Sequence, residues 1–176
     1  MRVWRIEGRL FLGDYRSGEQ ALSGQKHPVD DDGEPKPFAG VVSLCPMPLL
    51  SDETIEGPIE IDTEWLQVAI MDGGSGEGEL EAALGVIRPF VKRRLQHGNV
   101  LIHCAAGMSR SVAVMAALLC DQGESVGGAL KRISLAKARA LHPFAGDPND
   151  LVAPAWEFVA CLNRLYSDFD AGRASE

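Results

Sequence analysis

The 176-residue chain carries 17 Lys+Arg against 25 Asp+Glu, a formal net charge of −8, with 45% hydrophobic and 24% charged residues. This fits one globular domain over residues 1–176, excludes a disordered or fibrous chain, and disfavours non-specific binding to nucleic acid or an anionic membrane surface. No apolar run approaches the roughly 18–20 residues of a membrane span, and residues 1–7 lack the apolar core of a signal peptide, so a cytosolic, reducing location is the expectation.

In chain order, Leu10-Phe11-Leu12 after Gly8 reads as a short strand. The stretch from about residue 24 to 39, with Asp30-Asp31-Asp32-Gly33 and three prolines, reads as an exposed loop. Gly40 to Cys45 reads as a buried strand ending at Pro46, and Trp65 to Met71 as another, closed by Asp72-Gly73-Gly74-Ser75-Gly76. Leu80, Leu84, Ile87, Val91 and Leu95 recur at helical spacing, with Pro89 expected to kink or divide that helix. Asn99 to His103 is a short apolar run of the kind that forms an interior parallel strand. Arg110 to Gln122 is apolar almost all round, as a central helix would be. Ser125 can cap a helix carrying Val126, Leu130 and Ile133, and Trp156, Val159, Leu162, Leu165 and Phe169 mark a last helix. Strands alternating with helices predict an α/β fold around a mostly parallel, mixed sheet of about five strands flanked by helices.

The net charge hides a gradient. From Asp52 to Glu81 there are ten acids, Asp62 and Asp72 among them, and no Lys or Arg. From Arg88 to Arg139 nine basic residues face only Asp121 and Glu124, a net of +7.

The four cysteines, Cys45, Cys104, Cys120 and Cys161, include no Cys-x-x-Cys pair. The four histidines form no ligand-spaced cluster, so no metal site is expected. Cys120 and Cys161 lie in apolar helical runs and read as core residues.

Cys104 stands apart because of its neighbours in the chain. A buried strand ends at His103-Cys104, the small residues Ala105, Ala106 and Gly107 come next, then Met108 and Ser109, and an apolar helix opens at Arg110-Ser111. Five residues between Cys104 and Arg110 suffice for a loop to curl round one tetrahedral anion, its backbone N–H groups and the helix N-terminus pointing inward. The same field favours the thiolate form of a cysteine held there. Arg110 supplies a planar fork for two phosphate oxygens, and the small residues let the loop amides approach closely.

This string, His103-Cys104-x-x-Gly107-x-Ser109-Arg110-Ser111, resembles the signature of the cysteine-dependent protein tyrosine phosphatases, in their compact dual-specificity branch. The resemblance extends outward to Ile6-Glu7-Gly8-Arg9-Leu10-Phe11-Leu12-Gly13, which looks like the family's opening strand. It implies a three-layer phosphatase fold and a phosphomonoester hydrolase working through a cysteinyl-phosphate intermediate, with no cofactor. Cys104 would be the nucleophile, and Arg110 with the amides of residues 105–109 would hold the phosphate. Ser111 would hydrogen-bond the departing sulfur, and His103 would order the loop rather than act as base. The family places a general acid about thirty residues before the cysteine, because an alkoxide or phenoxide leaves poorly unprotonated. Asp72, 32 residues upstream and at a strand end, is the candidate; Asp62 competes but precedes the strand. Cys45, ending a parallel strand at the same sheet edge, is a candidate redox partner for Cys104, as in some relatives, beside its reading as a buried strand cysteine.

The loop positions Ala105, Ala106 and Met108 hold no lysine, unlike relatives acting on phosphoinositides. The expected substrate is therefore a protein or peptide carrying phosphotyrosine and/or phosphoserine/threonine. Glu77, Glu79 and Glu81 suggest a preference for basic flanking residues. Two other classes compete: a catalytically idle phosphoresidue-binding module, and a rhodanese-like sulfurtransferase, which also presents a cysteine in an amide-lined loop. The pairing of Cys104 and Arg110 with an upstream acid disfavours both. The family's Arg-Pro…Pro-Asn stretch before its last helix has only a loose analogue in residues 140–149.

Overall fold

The computed structural model describes residues 3–24, 27–28, 35–47, 63–74, 77–141, 143 and 146–173. The main sheet contains β1 (Val3–Glu7), β2 (Leu10–Gly13), β5 (Gly40–Ser43), β6 (Glu64–Gln67) and β7 (Val100–His103) in the order β1-β2-β7-β5-β6. β1 runs antiparallel to β2, and the remaining neighbours pair in parallel. The helices are α1 (Tyr15–Leu22), α2 (Glu77–Arg94), α3 (Arg110–Cys120), α4 (Val126–Ala140) and α5 (Trp156–Arg173). This is the mixed five-stranded α/β architecture that the alternating pattern predicts.

Period-two alternation assigns each central strand's side chains to two cores. Phe11, Val41 and Leu101 share a smaller core with Ala21 of α1 and Phe38. Their neighbours Leu10, Leu12, Val42, Val100 and Ile102 join a larger core with α2, α3, α4 and α5. The sheet is therefore the middle of three layers. A strand covered on both faces must be apolar throughout, which is why β7 reads Val-Leu-Ile before its histidine. All eleven residues of α3 are buried, Arg110 and Ser111 included.

Several local expectations are refined. α2 runs unbroken through Pro89. β6 ends at Gln67, yet Val68 and Ile70 still donate from their amides to the Ser43 and Leu44 carbonyls, 2.9 and 3.2 Å, so the chain stays extended towards Asp72. Within the stretch read as an exposed loop, β3 (His27–Pro28) and β4 (Pro35–Lys36) form a two-stranded antiparallel ribbon. Phe38, at the end of that stretch, is buried and packs edge-on against Phe11, with ring centroids 5.5 Å apart. Aromatic burial offsets the cost of ordering a polar segment next to it. Residues 29–34 lie outside the described residues. Ser125 caps α4 by accepting from the Gly128 amide at 3.1 Å. α1 has no counterpart among the expected elements: Gly18 and a short, polar sequence mask it, although Asp14 caps it by accepting from Ser17 N at 2.9 Å.

Candidate active site

β7 delivers His103 and Cys104 to the C-terminal edge of the parallel strands, and α3 begins six residues later. Cys104 is buried on the large-core face. His103 projects to the opposite face, where its ring lies so close to α1 that a β-carbon on Gly18 would stand 2.2 Å from it. His103 Nε2 lies 2.6 Å from Ser43 Oγ, which also accepts from Trp65 Nε1 at 2.9 Å. Burial pushes the His103 imidazole down to about 4, against the upward pulls of the Cys104 backbone and Asp14. An imidazole of such low basicity, on the far side of the strand, is no base for chemistry at Cys104. The bond of His103 to Ser43 ties β7 to β5, and its ring also interacts with the Cys104 backbone at the base of the loop.

The loop between Cys104 and Arg110 is gripped from outside by its carbonyls. Ala105 O accepts from Tyr15 N at 3.0 Å, and Met108 O from Ala153 N at 2.8 Å. Gly107 O accepts from Lys137 Nζ at 2.6 Å. A trans peptide points C=O and the next N–H in opposite directions. The N–H groups of Ala106, Met108 and Ser109 are thereby turned away from these outer partners, towards the inside of the loop. Gly107 makes the curl: its φ is +69°, and a β-carbon there would come within 2.9 Å of both Gly13 O and the Trp4 ring.

Lys137 is a feature that sequence reasoning missed. It is buried, its ammonium also donates to Leu151 O, and it sits 4.5 Å from the centroid of the Trp4 ring. Burying an ammonium costs several kcal/mol, on the order of its lost hydration, unless donors and charge are satisfied. Two carbonyls and an aromatic face do so here. The only sequence signal was a lysine on the helical face shared by Ala129 and Ile133.

Ser111, in the first turn of α3, places Oγ 3.2 Å from Cys104 Sγ. Arg110 is buried and reaches several groups at the outer limit of hydrogen-bond length. Nη1 lies 3.4 Å from Leu44 O and 3.3 Å from Ile70 O, and Nη2 lies 3.5 Å from Asp72 Oδ2. Its Nε is buried without a hydrogen-bond partner among the described residues. Long contacts and an orphaned charged donor leave most of the guanidinium's capacity unspent, an arrangement that costs free energy until an acceptor arrives. An oxyanion between the loop amides and Arg110 would supply one.

Asp72 is half exposed at the end of the extended segment after β6. Asp62 lies outside the described residues, as do Ser75 and Gly76. Cys45 is buried just beyond β5; burial pushes its thiol up, Arg110 pulls it down and Cys104 pushes it up, so it feels both groups. No disulfide forms among the described residues, and Cys120 and Cys161 are core. No His/Cys/Asp/Glu group suited to a metal ion occurs among the described residues. Of the acids expected to face substrate, Glu79 instead accepts from Met71 N at 3.2 Å, and Glu81 pairs with Arg164 at 2.8 Å. No helix among the described residues is long and apolar enough to cross a membrane.

Comparison with known proteins bears on the same region. A family model described as the Rit1 DUSP-like domain matches residues 64–141, from β6 to just past α4. No curated protein sequence matches the chain. Among solved structures, a mouse dual specificity phosphatase complexed with zinc tungstate is 20% identical with a TM-score of 0.60, covering 97% of this chain and 90% of that one. Human DUSP28 is 20% identical with a TM-score of 0.58, covering 96% and 95%. Human tyrosine phosphatase-like serine/threonine/tyrosine-interacting protein is 18% identical with a TM-score of 0.59, covering 95% and 97%. Over nearly its whole length, then, the chain resembles in fold the dual-specificity branch of the cysteine-dependent protein tyrosine phosphatases.

Proposed function

We propose that the chain is a cysteine-dependent phosphomonoester hydrolase, one catalytic domain over residues 1–176, acting on phosphotyrosine and/or phosphoserine/threonine in proteins. The observation that carries this reading is the buried Arg110 guanidinium, at the end of the loop that begins with Cys104, with an unpartnered Nε. A phosphate seated there would take bonds from Arg110 and from the inward-facing amides of Ala106, Met108 and Ser109, which match an anion better than any neutral ligand.

In the first step the Cys104 thiolate attacks phosphorus. The S–P bond forms as the P–O ester bond breaks, and Asp72, protonated, gives its proton to the departing alcohol or phenol oxygen. In the second step Asp72, now a carboxylate, takes a proton from water as that water attacks phosphorus. The S–P bond breaks, orthophosphate leaves, and the electron pair returns to sulfur, where the Ser111 hydroxyl stabilises it by hydrogen bonding. The cradle supplies the charge stabilisation throughout. A thiolate of this kind needs a reducing compartment, so a cytosolic location belongs to the same reading.

Cys45 enters the reading as a guard for the nucleophile. Peroxide would oxidise the Cys104 thiolate to a sulfenic acid, and the Cys45 thiol would then displace water from that sulfur to give a disulfide. Peroxide treatment followed by peptide mapping should find the Cys45–Cys104 cross-link; irreversible oxidation of Cys104 alone removes this part.

The test of the whole reading is hydrolysis of an aryl phosphate by wild type, Cys104→Ser and Asp72→Asn. Near-complete loss in the first and a large loss in the second are expected. Unchanged turnover by Cys104→Ser refutes it. Phosphopeptide binding by wild type with no turnover of any phosphate ester would instead identify a phosphoresidue-binding module.

A further inference from the structure

The segment that opens α5 touches both loops of the site. Ala155 N donates to Ser109 Oγ at 3.2 Å, on the last residue of the Cys104 loop. Two residues on, Glu157 Oε1 accepts from Gly74 N at 2.9 Å, across 83 residues of sequence. Glu157 is buried at 8% exposure, unusual for a carboxylate that faces no described cation. Positive φ at Gly73 and Gly74, +99° and +81°, curls the chain so that this amide turns towards Glu157. Gly73 itself lies against Ala155: a β-carbon there would stand 3.6 Å from the Ala155 β-carbon. On the other side of Asp72, both Glu79 oxygens accept from Met71 N at 3.2 Å. The acid is therefore bracketed one residue before and two residues after by carboxylates from two different helices.

We infer that Glu157 is a positioning residue for Asp72: it latches the Gly73-Gly74 turn to the start of α5 and so holds the carboxyl of Asp72 over the Arg110 site before substrate arrives. The inference rests on the proposed hydrolase reading for its chemical consequence, though not for the latch itself. Charge-assisted acceptance by a buried carboxylate is about twice as strong as a neutral hydrogen bond, enough to keep one loop position dominant. Because Ala155 is simultaneously bonded to Ser109, the strut fixes the acid relative to the phosphate cradle rather than to solvent. A shift of about 1 Å in a proton donor can cost roughly a hundredfold in rate, so such a strut matters kinetically. Glu157 never touches substrate in this account.

The experiment compares Glu157→Ala and Glu157→Gln with wild type, using aryl phosphates whose leaving groups range from very acidic phenols to weakly acidic ones. An acidic phenolate leaves without a proton and a poor one does not, so misplacing the acid hurts only the latter. Glu157→Ala should lose about tenfold or more in kcat on the poor leaving groups and less than about twofold on the best ones. Glu157→Gln, which keeps an acceptor oxygen, should recover most of the loss. Hydrogen exchange at the Gly74 amide should accelerate in Glu157→Ala and stay near wild type in Glu157→Gln. Equal loss across all leaving groups, or no change in Gly74 exchange, overturns the inference. If wild type hydrolyses none of the esters, the hydrolase reading fails, and the exchange measurement alone decides the latch.

Discussion

Asp72 Oδ2 stands 3.5 Å from Arg110 Nη2, so a carboxyl from the end of the β6 segment meets the guanidinium that opens α3. The two come from opposite sides of Cys104 in sequence and meet at the C-terminal edge of the parallel strands. Asp72→Asn keeps the shape and removes the transferable proton. On an alkyl or weakly acidic aryl phosphate, kcat should fall by about 10²–10⁴-fold, with the fall of activity at high pH abolished. A pH–rate profile of the variant checks this; an unchanged basic limb would point to another acid.

Ser111 Oγ lies 3.2 Å from Cys104 Sγ, close enough to donate to a sulfur that carries charge. A hydrogen bond to a charged group is worth about 1.5–3 kcal/mol, so Ser111→Ala should slow the step that releases thiolate by roughly ten- to a hundredfold. The cysteinyl-phosphate should then accumulate. Rapid-quench kinetics should show a burst of phenol equal to enzyme, with covalent phosphate trapped on Cys104. Steady turnover without a burst argues against this role.

Lys137 Nζ donates to Gly107 O at 2.6 Å and to Leu151 O, beneath the Trp4 ring. Lys137→Met fills the same volume and leaves both carbonyls short of a donor. Unfolding by urea should show a loss of about 2–5 kcal/mol, and KM should rise because the Gly107 carbonyl no longer holds its peptide in place. A stability loss with unchanged KM would reduce Lys137 to a core role.

His103 is held neutral by burial, with a folded value of about 4 against an ordinary 6.5. The unfolded chain therefore binds the proton first as pH falls. The stabilisation is complete above about pH 6.5, declines below it, and is lost by about pH 4, a total of roughly 3 kcal/mol. Urea midpoints at pH 7 and pH 5 should differ accordingly. His103→Gln should flatten this part of the profile, with its overall stability set by how well the amide reaches Ser43. An unaltered pH dependence in that variant would assign the slope to other groups.

The chemistry-bearing string was legible because it is local. Cys104, the small residues behind it, Arg110 and Ser111 lie within eight positions, and a strand-to-helix turn forces them to share one anion-sized space. The central strands were legible for a similar reason, since two-sided burial leaves an unbroken apolar run such as Val100-Leu101-Ile102. α1 escaped notice because it is only eight residues long and polar on average, with few large apolar side chains. It exists because Asp14 caps it and because Gly18 lets it sit against the His103 ring. Likewise nothing in Phe38 alone says that it closes the smaller core against Phe11.

Local order along the chain thus determined the α/β alternation, the loop that can cradle an anion, and the residues able to do covalent chemistry there. Only the tertiary structure decided which groups outside the string serve it. Lys137 reaches the loop from α4, Glu157 reaches the Asp72 turn from α5, and Glu79 accepts from the Met71 amide just before Asp72. The physical reason is that a hydrogen bond to a backbone group carries no requirement on the identity of the residue accepting or donating through its main chain. Such contacts leave no pairing in the sequence, and they appear only when the chain is folded.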